Sequence, residues 1–393
     1  MYFPIEIWEH IFFYTDPVDL TRLKTVSQLF KEVIEKTLTV NDHWYRKCRK
    51  EIPQHLWSSY YEKINPNQTN LDYDKIRDAP TFMRMYKLSL QCKNLTKSTE
   101  SVNCFKLLPK HRTSEENTCI IVSDNLLVIG TSEGFIYIYE MSSLNVVHLR
   151  LTLDHEERIC NVQVSRDGKE PIVVSCSVFN HIKFWSSSTG ELIKSESGQH
   201  ICTSFGYRYY TREFNLFIEG TDIPDETIEI NSDVIVAVGA DRDVVVVYTE
   251  TGDYWKINLP LQERNYSYIK PPKYTVRRFY TFKTDVMACI TGWGYLGFLV
   301  QKGTWKLYTI HHLLHGIPTV VLIYTHLLII GLDSGNIHIY YVEDFENIKF
   351  SDAEFKKICL ERSAVISMDI SVYRDNLLLT VSHERNIYTV NFF

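Results

Sequence analysis

The sequence predicts a multidomain α+β protein, in which an all-α N-terminal region is followed by an all-β propeller. Apolar residues recur at helical spacing through the first 34 residues, and a helical but irregular pattern continues to about Asn94. After residue 100 the period changes to short apolar strands, and a unit of about 40 residues and four strands repeats. The aromatic content of 25 Tyr and 20 Phe also favours sheet for most of the chain.

The first 34 residues predict three short helices. Apolar residues from Ile5 to Phe12 recur at helical spacing until Asp16-Pro17 breaks the pattern. Asp16 is suited to cap a second helix that begins at Pro17, and Ser27 is suited to cap a third. Helices this short cannot bury all of their apolar side chains among themselves. We therefore expect some of these side chains to contact another domain or another protein.

This stretch resembles the F-box, the segment that docks on the Skp adaptor of cullin-RING ubiquitin ligases. The resemblance is carried by Phe-Pro-x-Glu-Ile at residues 3–7, by Asp19-Leu20, and by Ile11, Leu23, Val26 and Phe30. Phe3 replaces the leucine that usually precedes the proline, and Phe30 stands near the place of a frequent tryptophan. The resemblance implies an adaptor-binding surface that is formed or supported by Pro4, Ile5, Ile11, Leu20, Val26 and Phe30.

Two other interpretations of the helices fit parts of the pattern. An ordinary helical cap on the following domain would also account for the apolar residues. A DNA-binding helix-turn-helix fits less well, because acidic residues are interspersed with the basic ones and leave no basic stripe for phosphates.

Residues 39–98 read as a helical linker. Its aromatic groups, such as His43-Trp44-Tyr45 and Tyr60-Tyr61, are expected to fasten the first module to the next domain. The segment at 65–70 is a turn-rich break between helices.

Repeated units predict the propeller. Six units share one template of apolar strands, a polar turn and a hairpin rich in Gly or Ser; they lie at 117–141, 160–193, 227–259, 277–310, 319–344 and 365–393. The units resemble WD repeats, although only Trp185 keeps the tryptophan that usually ends the third strand, and the Gly-His pair is absent. Residues 200–225 are either a degenerate seventh blade or a long hairpin. Seven blades are favoured, with six as the alternative.

A strand ahead of the first unit is expected to close the ring. The last unit shows only three strands, and residues 101–109 form an otherwise unpaired apolar strand. Because an incomplete final blade would leave an open edge, this strand is predicted to be its outer strand.

Composition limits the partners. The net charge of -6 and a pI of about 6.2 argue against nucleic acid or an anionic membrane as partner. No run of 18 apolar residues appears, and nine scattered Cys suit a reducing compartment. We expect a soluble protein of the cytoplasm, the nucleus or both, without a cofactor.

No catalytic motif is recognised, so the predicted function lies on a surface. Gly292-Trp293-Gly294 is predicted to be a turn, and the three His at 311–315 a solvated loop rather than a metal site. The turns between second and third strands share one rim with the connections between blades. The candidate substrate-binding residues assigned to that rim are Arg158, Arg242, Trp293, Tyr295 and Arg385.

The chemistry of that rim allows two interpretations of its arginines. They could hold a phosphorylated peptide bidentately, or they could form salt bridges with acidic residues of neighbouring loops, which is the favoured interpretation. Trp293 and Tyr295 suggest instead that aromatic anchors grip the partner.

The resemblance over nearly the whole chain implies an F-box/WD-repeat protein, with an F-box at 1–38, the linker at 39–98 and the propeller at 99–393. Its implied function is the substrate-recognition subunit of a Skp-cullin-F-box ubiquitin ligase, which binds the Skp adaptor and an unknown protein substrate and reaches the cullin scaffold. The alternative is an interaction scaffold outside a ligase. An enzyme on the propeller has the least support.

Overall fold

Seven antiparallel sheets of four strands form a ring, and helices from the N-terminal region pack against it. The prediction of seven blades is confirmed. The computed structural model describes residues 3–40, 42–66, 78–106, 114–143, 146–166, 170–204, 206–220, 225–230, 234–241, 244–259, 263–282, 286–300, 303–351 and 353–393.

Six helices precede the sheets in the described part of the chain. They are α1 (Ile5–Tyr14), α2 (Pro17–Leu23), α3 (Gln28–Val40), α4 (His43–Glu51), α5 (Trp57–Ile64) and α6 (Ala79–Asn94), with short 3-10 turns at Gln54–Leu56 and Leu95–Lys97. A four-residue helix, α7 (His311–Leu314), lies between two blades.

The predicted caps of the first helices are confirmed. The Asp16 carboxylate accepts a hydrogen bond from the Val18 amide at 2.9 Å, and Pro17 is the first residue of α2. The Ser27 hydroxyl accepts from the Phe30 amide at 3.1 Å and so satisfies a free donor at the start of α3.

The blades follow one another along the chain. Blade 1 contains β2 (Asn117–Ser123), β3 (Leu126–Thr131), β4 (Phe135–Ser143) and β5 (Val146–Asp154). Blade 2 contains β6 (Ile159–Ser165), β7 (Ile172–Ser177), β8 (His181–Ser186) and β9 (Leu192–Ser197). Blade 3 contains β10 (Gln199–Ser204), β11 (Tyr207–Arg212), β12 (Asn215–Glu219) and β13 (Glu226–Glu229).

The second half of the ring repeats this order. Blade 4 contains β14 (Ile235–Asp241), β15 (Val244–Thr249), β16 (Asp253–Asn258) and β17 (Glu263–Tyr268). Blade 5 contains β18 (Val276–Thr281), β19 (Val286–Thr291), β20 (Leu296–Val300) and β21 (Lys306–Tyr308). Blade 6 contains β22 (Pro318–Tyr324), β23 (Leu327–Leu332), β24 (Asn336–Tyr341) and β25 (Phe355–Cys359). Blade 7 contains β26 (Ser367–Tyr373), β27 (Asn376–Ser382), β28 (Asn386–Phe392) and the early strand β1 (Glu100–Lys106).

Strand β1 closes the ring, which confirms that prediction for its described part. It pairs antiparallel with β28, from Glu100 opposite Phe392 to Lys106 opposite Asn386. The rest of the predicted strand, residues 107–109, lies outside the described residues.

The strands of the predicted unit at 227–259 were assigned to the wrong positions in the blade. Its first strand was placed near Thr227, but Glu226–Glu229 pairs with β12 and completes blade 3. Blade 4 begins only at Ile235. Residues 200–225 therefore belong to a full blade, whose fourth strand lies just beyond them.

The order of strands defines two rims. The first strand of each blade lies innermost, where it contacts the first strands of neighbouring blades. Turns from first to second strands and from third to fourth strands share one rim, which we call the linker rim. Turns from second to third strands and connections between blades share the other, which we call the open rim.

One apolar core joins the helices to the propeller. A single cluster of buried side chains runs from Phe12 and Leu20 through Trp57 and Tyr60 to the inner strands of blades 6 and 7. Helix α5 also borders the central channel, a cavity of 350 Å³ lined by the inner strands and by Ser59, Glu62 and Lys63. The helices and the propeller are thus packed as one body.

Candidate binding surfaces

A group of apolar side chains on and next to the first three helices stays exposed. We call it the apolar band: Phe3 (53% exposed), Ile5 (45%), Ile7 (44%), Ile11 (42%), Tyr14 (75%), Val26 (63%) and Leu29 (43%). Ile7, Ile11 and Tyr14 follow at spacings of four and three residues, so they lie along one side of α1. Several large apolar side chains left exposed on one small group of helices indicate an interaction site.

An aromatic cluster beneath the band fixes α1 to α3. The ring centroids of Trp8 and Phe30 are 4.6 Å apart, and those of Phe12 and Phe30 are 5.2 Å apart. Phe12 is buried, and Leu20 of α2 is fully buried in the same core.

Four of the six predicted adaptor-binding residues, Pro4, Ile5, Ile11 and Val26, are exposed. Leu20 cannot contact a partner directly, because its side chain has no exposed surface. Phe30 is partly buried in the aromatic cluster. Both residues therefore belong to the packing that supports the surface, and a polar residue at Leu20 would disturb the helices themselves.

A charged cluster connects the first helices to the linker. Lys47 Nζ donates to Asp16 Oδ2 at 2.5 Å and lies 2.6 Å from Glu51 Oε1, and the Tyr86 hydroxyl donates to Glu51 Oε2 at 2.7 Å. Burial acts to lower the pKa of Lys47, but hydrogen bonds to Asp16 and Glu51 outweigh it and raise that pKa well above its usual value. Burial acts to raise the pKa of the Asp16 carboxyl, yet the bond from Lys47 leaves that pKa lowered.

The linker helices are docked on the linker rim. The Tyr60 hydroxyl donates to Thr325 Oγ1 at 3.3 Å, and the Tyr324 hydroxyl donates to the Ser59 carbonyl at 3.4 Å. Thr325 follows β22 in a first-to-second turn. On α6, Arg84 Nε lies 2.7 Å from Asp375 Oδ1, in the equivalent turn of blade 7. These contacts leave the open rim on the far side of the ring from the linker.

Trp293 stands at the tip of a tight hairpin on the open rim, between β19 and β20. It is 76% exposed. Gly294 has φ +75°, a left-handed conformation, and a Cβ there would lie 2.9 Å from Ile317 Cγ2. The Tyr295 amide donates to Thr291 Oγ1 at 3.0 Å, which fixes the turn. The ring of Tyr295 lies 4.9 Å from that of Tyr274, so this predicted residue is partly covered.

Arg158 and Arg385 also lie on the open rim. Arg158 is exposed in the connection between β5 and β6, and Arg385 is exposed in the turn between β27 and β28. Neither makes an ion pair within the described part of the chain. The favoured salt-bridge interpretation is therefore wrong for these two arginines.

The turn at 240–243 belongs to the other rim, contrary to the prediction. It joins β14 to β15, the first and second strands of blade 4, because the unit had been framed one strand too early. Asp241 accepts a hydrogen bond from the Ser58 hydroxyl of α5 at 2.8 Å, as expected for the linker rim. Arg242 itself lies outside the described residues.

Sequence reasoning missed several apolar side chains of the open rim. Exposed apolar residues occur in successive turns and connections: Val178 (46%), Phe179 (67%), Phe214 (43%), Val234 (50%), Tyr268 (62%) and Ile317 (48%). Val178-Phe179 could have been found, since two apolar residues in a hairpin turn are unusual. Phe214 was hidden because its blade had not been recognised.

The remaining sequence features have structural explanations. The segment Gly292-Trp293-Gly294 is a turn between strands, as predicted. His311, His312 and His315 are exposed around α7, and within the described ranges no group of three metal-binding side chains was found. Among the same residues, no helix combines the length and apolar character needed to cross a membrane.

Comparison with known proteins agrees with this architecture. Residues 2–38 match the family model of the F-box domain. A stretch of 97 residues is 29% identical to an uncharacterized WD repeat-containing protein of Acanthamoeba polyphaga mimivirus; it covers 25% of this chain and 18% of that protein's length.

Solved propellers resemble the chain in fold. The WD40 repeats of RRP9 align with a TM-score of 0.54 at 14% identity, over 74% of this chain and 97% of that one. The structure of U3-55K aligns with a TM-score of 0.55 at 14% identity, over 73% and 98%. The resemblance to an F-box followed by WD repeats is thereby confirmed.

Proposed function

We propose that this F-box/WD-repeat protein is the substrate-recognition subunit of a Skp-cullin-F-box ubiquitin ligase. Residues 1–38 would bind the Skp adaptor, residues 39–98 would fix the orientation, and residues 99–393 would hold a protein substrate. The cullin scaffold is reached through the adaptor. This role belongs in the cytoplasm or the nucleus.

The observation that carries the proposal is the apolar band. Its side chains remain between 42% and 75% exposed, although a large core lies directly beneath them. If the helices were only a cap, this apolar surface would face the propeller. Other, buried side chains of the helices already make that contact, so a cap does not account for the exposed ones. A groove on an adaptor that accepts aliphatic anchors would bury it.

The function of the chain in this proposal is proximity. A substrate held on the open rim has its lysines kept at high effective concentration near the ubiquitin that the ligase transfers. The chain itself catalyses no step. The shared core and the Lys47 cluster support this role, because they hold the adaptor-binding helices in one orientation relative to the rim.

The proposal is tested by Ile5→Asp combined with Ile11→Asp. Both side chains are exposed, so the variant should fold, while loss of two buried anchors should weaken adaptor binding at least about 100-fold. Ile193→Asp is the matched control, because Ile193 is 56% exposed on the outer strand of blade 2. The readout is co-purification of the Skp adaptor and the cullin from cells that express each variant.

The control should recover adaptor and cullin at the wild-type level. If the double variant recovers them equally well, the apolar band is not the adaptor surface. If neither wild type nor control recovers them, the chain acts outside a ligase.

A further inference from the structure

Basic residues are concentrated in one part of an otherwise acidic chain. Between Ile269 and Leu332 the sequence contains seven Lys and Arg residues against a single acidic residue, Asp285, although the net charge of the chain is -6. Such a local excess indicates a patch with its own electrostatic preference.

Three of these residues lie on the open rim, and a fourth, Arg278, borders the central channel next to it. Lys270 and Lys273 lie in the connection from β17 to β18, and Arg277 and Arg278 lie at the open-rim end of β18. We call these four residues the basic sector. All four are exposed, and none pairs with a carboxylate of the described residues.

Neighbouring aromatic rings hold two of these cations in place. Lys273 Nζ lies 5.7 Å from the centroid of the Tyr274 ring, and Arg278 Cζ lies 5.0 Å from that of Tyr280. Pro271 and Pro272 fix the backbone between the two lysines. The cations are thus presented to solvent from a largely ordered support.

The nearby acidic side chains neutralise these cations only in part. Asp253 accepts a hydrogen bond from the Tyr266 hydroxyl at 2.8 Å, and Asp333 accepts one from the Ile317 amide at 2.9 Å. Glu250, in the turn between β15 and β16, is the exposed acid on the adjoining blade. Four cations against the three carboxylates of Glu250, Asp253 and Asp333 leave this part of the rim with a small positive excess.

An apolar platform adjoins the basic sector. Trp293 belongs to the second-to-third turn of the same blade, and the close approach of Gly294 to Ile317 brings that turn against the connection to blade 6. Tyr268, which is 62% exposed, begins the connection that carries Lys270. A partner that fits both features needs negative charge and an apolar side chain.

We propose that the basic sector and Trp293 bind a carboxylate-rich segment of the protein substrate, with one apolar side chain of that segment packed on Trp293 and Ile317. The inference rests on the proposed function, because it takes the open rim as the substrate surface. Carboxylates fit better than a single phosphate, since the cations are spread along a loop and a strand, and two are held over separate rings. Phosphate is recognised by converging guanidinium groups.

The test uses purified full-length protein and fluorescence anisotropy. The probe is a labelled peptide with a central Leu flanked on both sides by Glu and Asp. Companion peptides replace the acids by Gln and Asn, or replace two Glu by phosphoserine, and a single-stranded RNA oligonucleotide serves as a second polyanion. We expect the acidic peptide to bind, and the amide peptide to bind at least about tenfold more weakly. Added salt should weaken binding of the acidic peptide but not of the amide peptide.

One charge-reversal variant and one aromatic truncation locate the site. Lys270→Glu combined with Lys273→Glu should weaken binding of the acidic peptide at least about tenfold. Trp293→Ala should weaken binding of both the acidic and the amide peptide. Arg150→Glu combined with Lys349→Glu is the control; these two exposed residues lie on β5 and in the loop after β24, away from the basic sector. Lys270→Gln with Lys273→Gln gives a milder second variant, and thermal melting checks the fold of each.

The inference is overturned if the lysine reversals leave the Kd within twofold of wild type, or if the amide peptide binds as well as the acidic one. It is also overturned if only the phosphorylated peptide binds, or if the RNA binds more tightly than the peptide. Because this assay contains no adaptor, a chain that binds the adaptor but not the acidic probe refutes this inference alone. The reverse result refutes the ligase proposal alone.

Discussion

Tyr60 provides the sharpest test of how the linker is held on the propeller. Its side chain is 2% exposed, its hydroxyl donates to Thr325 Oγ1 at 3.3 Å, and its ring meets that of Tyr324 edge to face at 6.0 Å. Tyr60→Phe removes only the hydrogen bond, which is worth roughly 0.5–1.5 kcal/mol of net stability. Tyr60→Ala also removes the ring from a closed core and should cost roughly 3–5 kcal/mol.

The assay is urea unfolding, followed by far-UV circular dichroism for the helices and by tryptophan fluorescence for both parts. Tyr266→Ala is the matched control, because this tyrosine is 53% exposed on an outer strand and should cost less than about 1 kcal/mol. Since one core joins helices and sheets, the wild type should unfold in a single transition. Among the variants, Tyr60→Ala should lower the urea midpoint of the circular dichroism signal most.

Burial also raises the pKa of the Tyr60 hydroxyl well above its usual value of 10.0. The folded state therefore favours the protonated phenol, and its contribution is complete below pH 10 and is lost as the pH rises further. Tyr60→Phe should lessen the alkaline sensitivity of the helical signal. The packing argument fails if Tyr60→Ala costs no more than Tyr266→Ala, or if Tyr60→Phe costs as much as Tyr60→Ala.

Three further perturbations address the rim, the charged cluster and the ring. Trp293→Ala should weaken capture of a substrate protein at least about tenfold more than Arg385→Ala, and phosphatase treatment should leave capture intact; loss of capture on either the Arg385 change or dephosphorylation contradicts this. Lys47→Met should lower the free energy of unfolding by about 1–2 kcal/mol near neutral pH. Because the pKa values of its carboxylate partners are lowered from 3.8 and 4.5, this difference should begin to shrink as the pH falls below those unfolded values and should disappear as it falls through the lowered folded ones. A difference that stays constant down to the acid limit of the folded state contradicts the assignment. Prolines at both Asn103 and Cys104 must remove a ladder hydrogen bond of β1, so they should lower the melting temperature by several degrees and promote aggregation, whereas unchanged melting would show that β1 is not needed for closure.

The sequence predicted most of the fold because its inner strands and helix ends carry strong local signals. Asp16-Pro17 predicted a helix start that the structure confirms, and Trp185 correctly indicated a third strand. The predicted strand order was wrong between blades 3 and 4, because the outer strand Glu226–Glu229 has only four residues and a mostly polar sequence. An outer strand that faces water on one edge needs little apolar alternation, so periodicity alone does not detect it.

The candidate surfaces could be predicted only where exposure follows from local structure. Trp293 was assigned to a turn by its flanking glycines, and a turn tip is exposed. Leu20 could not be distinguished from Ile5 by spacing, because both fit the apolar pattern, and tertiary packing alone makes one of them fully buried. The connection that follows Asp241 was assigned to the wrong rim, because a shift of one strand within a blade exchanges the rims of its turns.

The closure of blade 7 has a consequence for how the protein is made. Strand β1 leaves the ribosome early, yet its partner β28 lies near the other end of the chain, with Glu100 opposite Phe392. At roughly 5–20 residues per second, β1 waits about 15–60 s for that partner during translation. Throughout this interval the nascent chain carries an unpaired strand beside its N-terminal helices. The first three helices can therefore be complete on a nascent chain before a complete rim exists. Under the proposed function, a chaperone that shields β1 would delay entry into a ligase until the ring has closed.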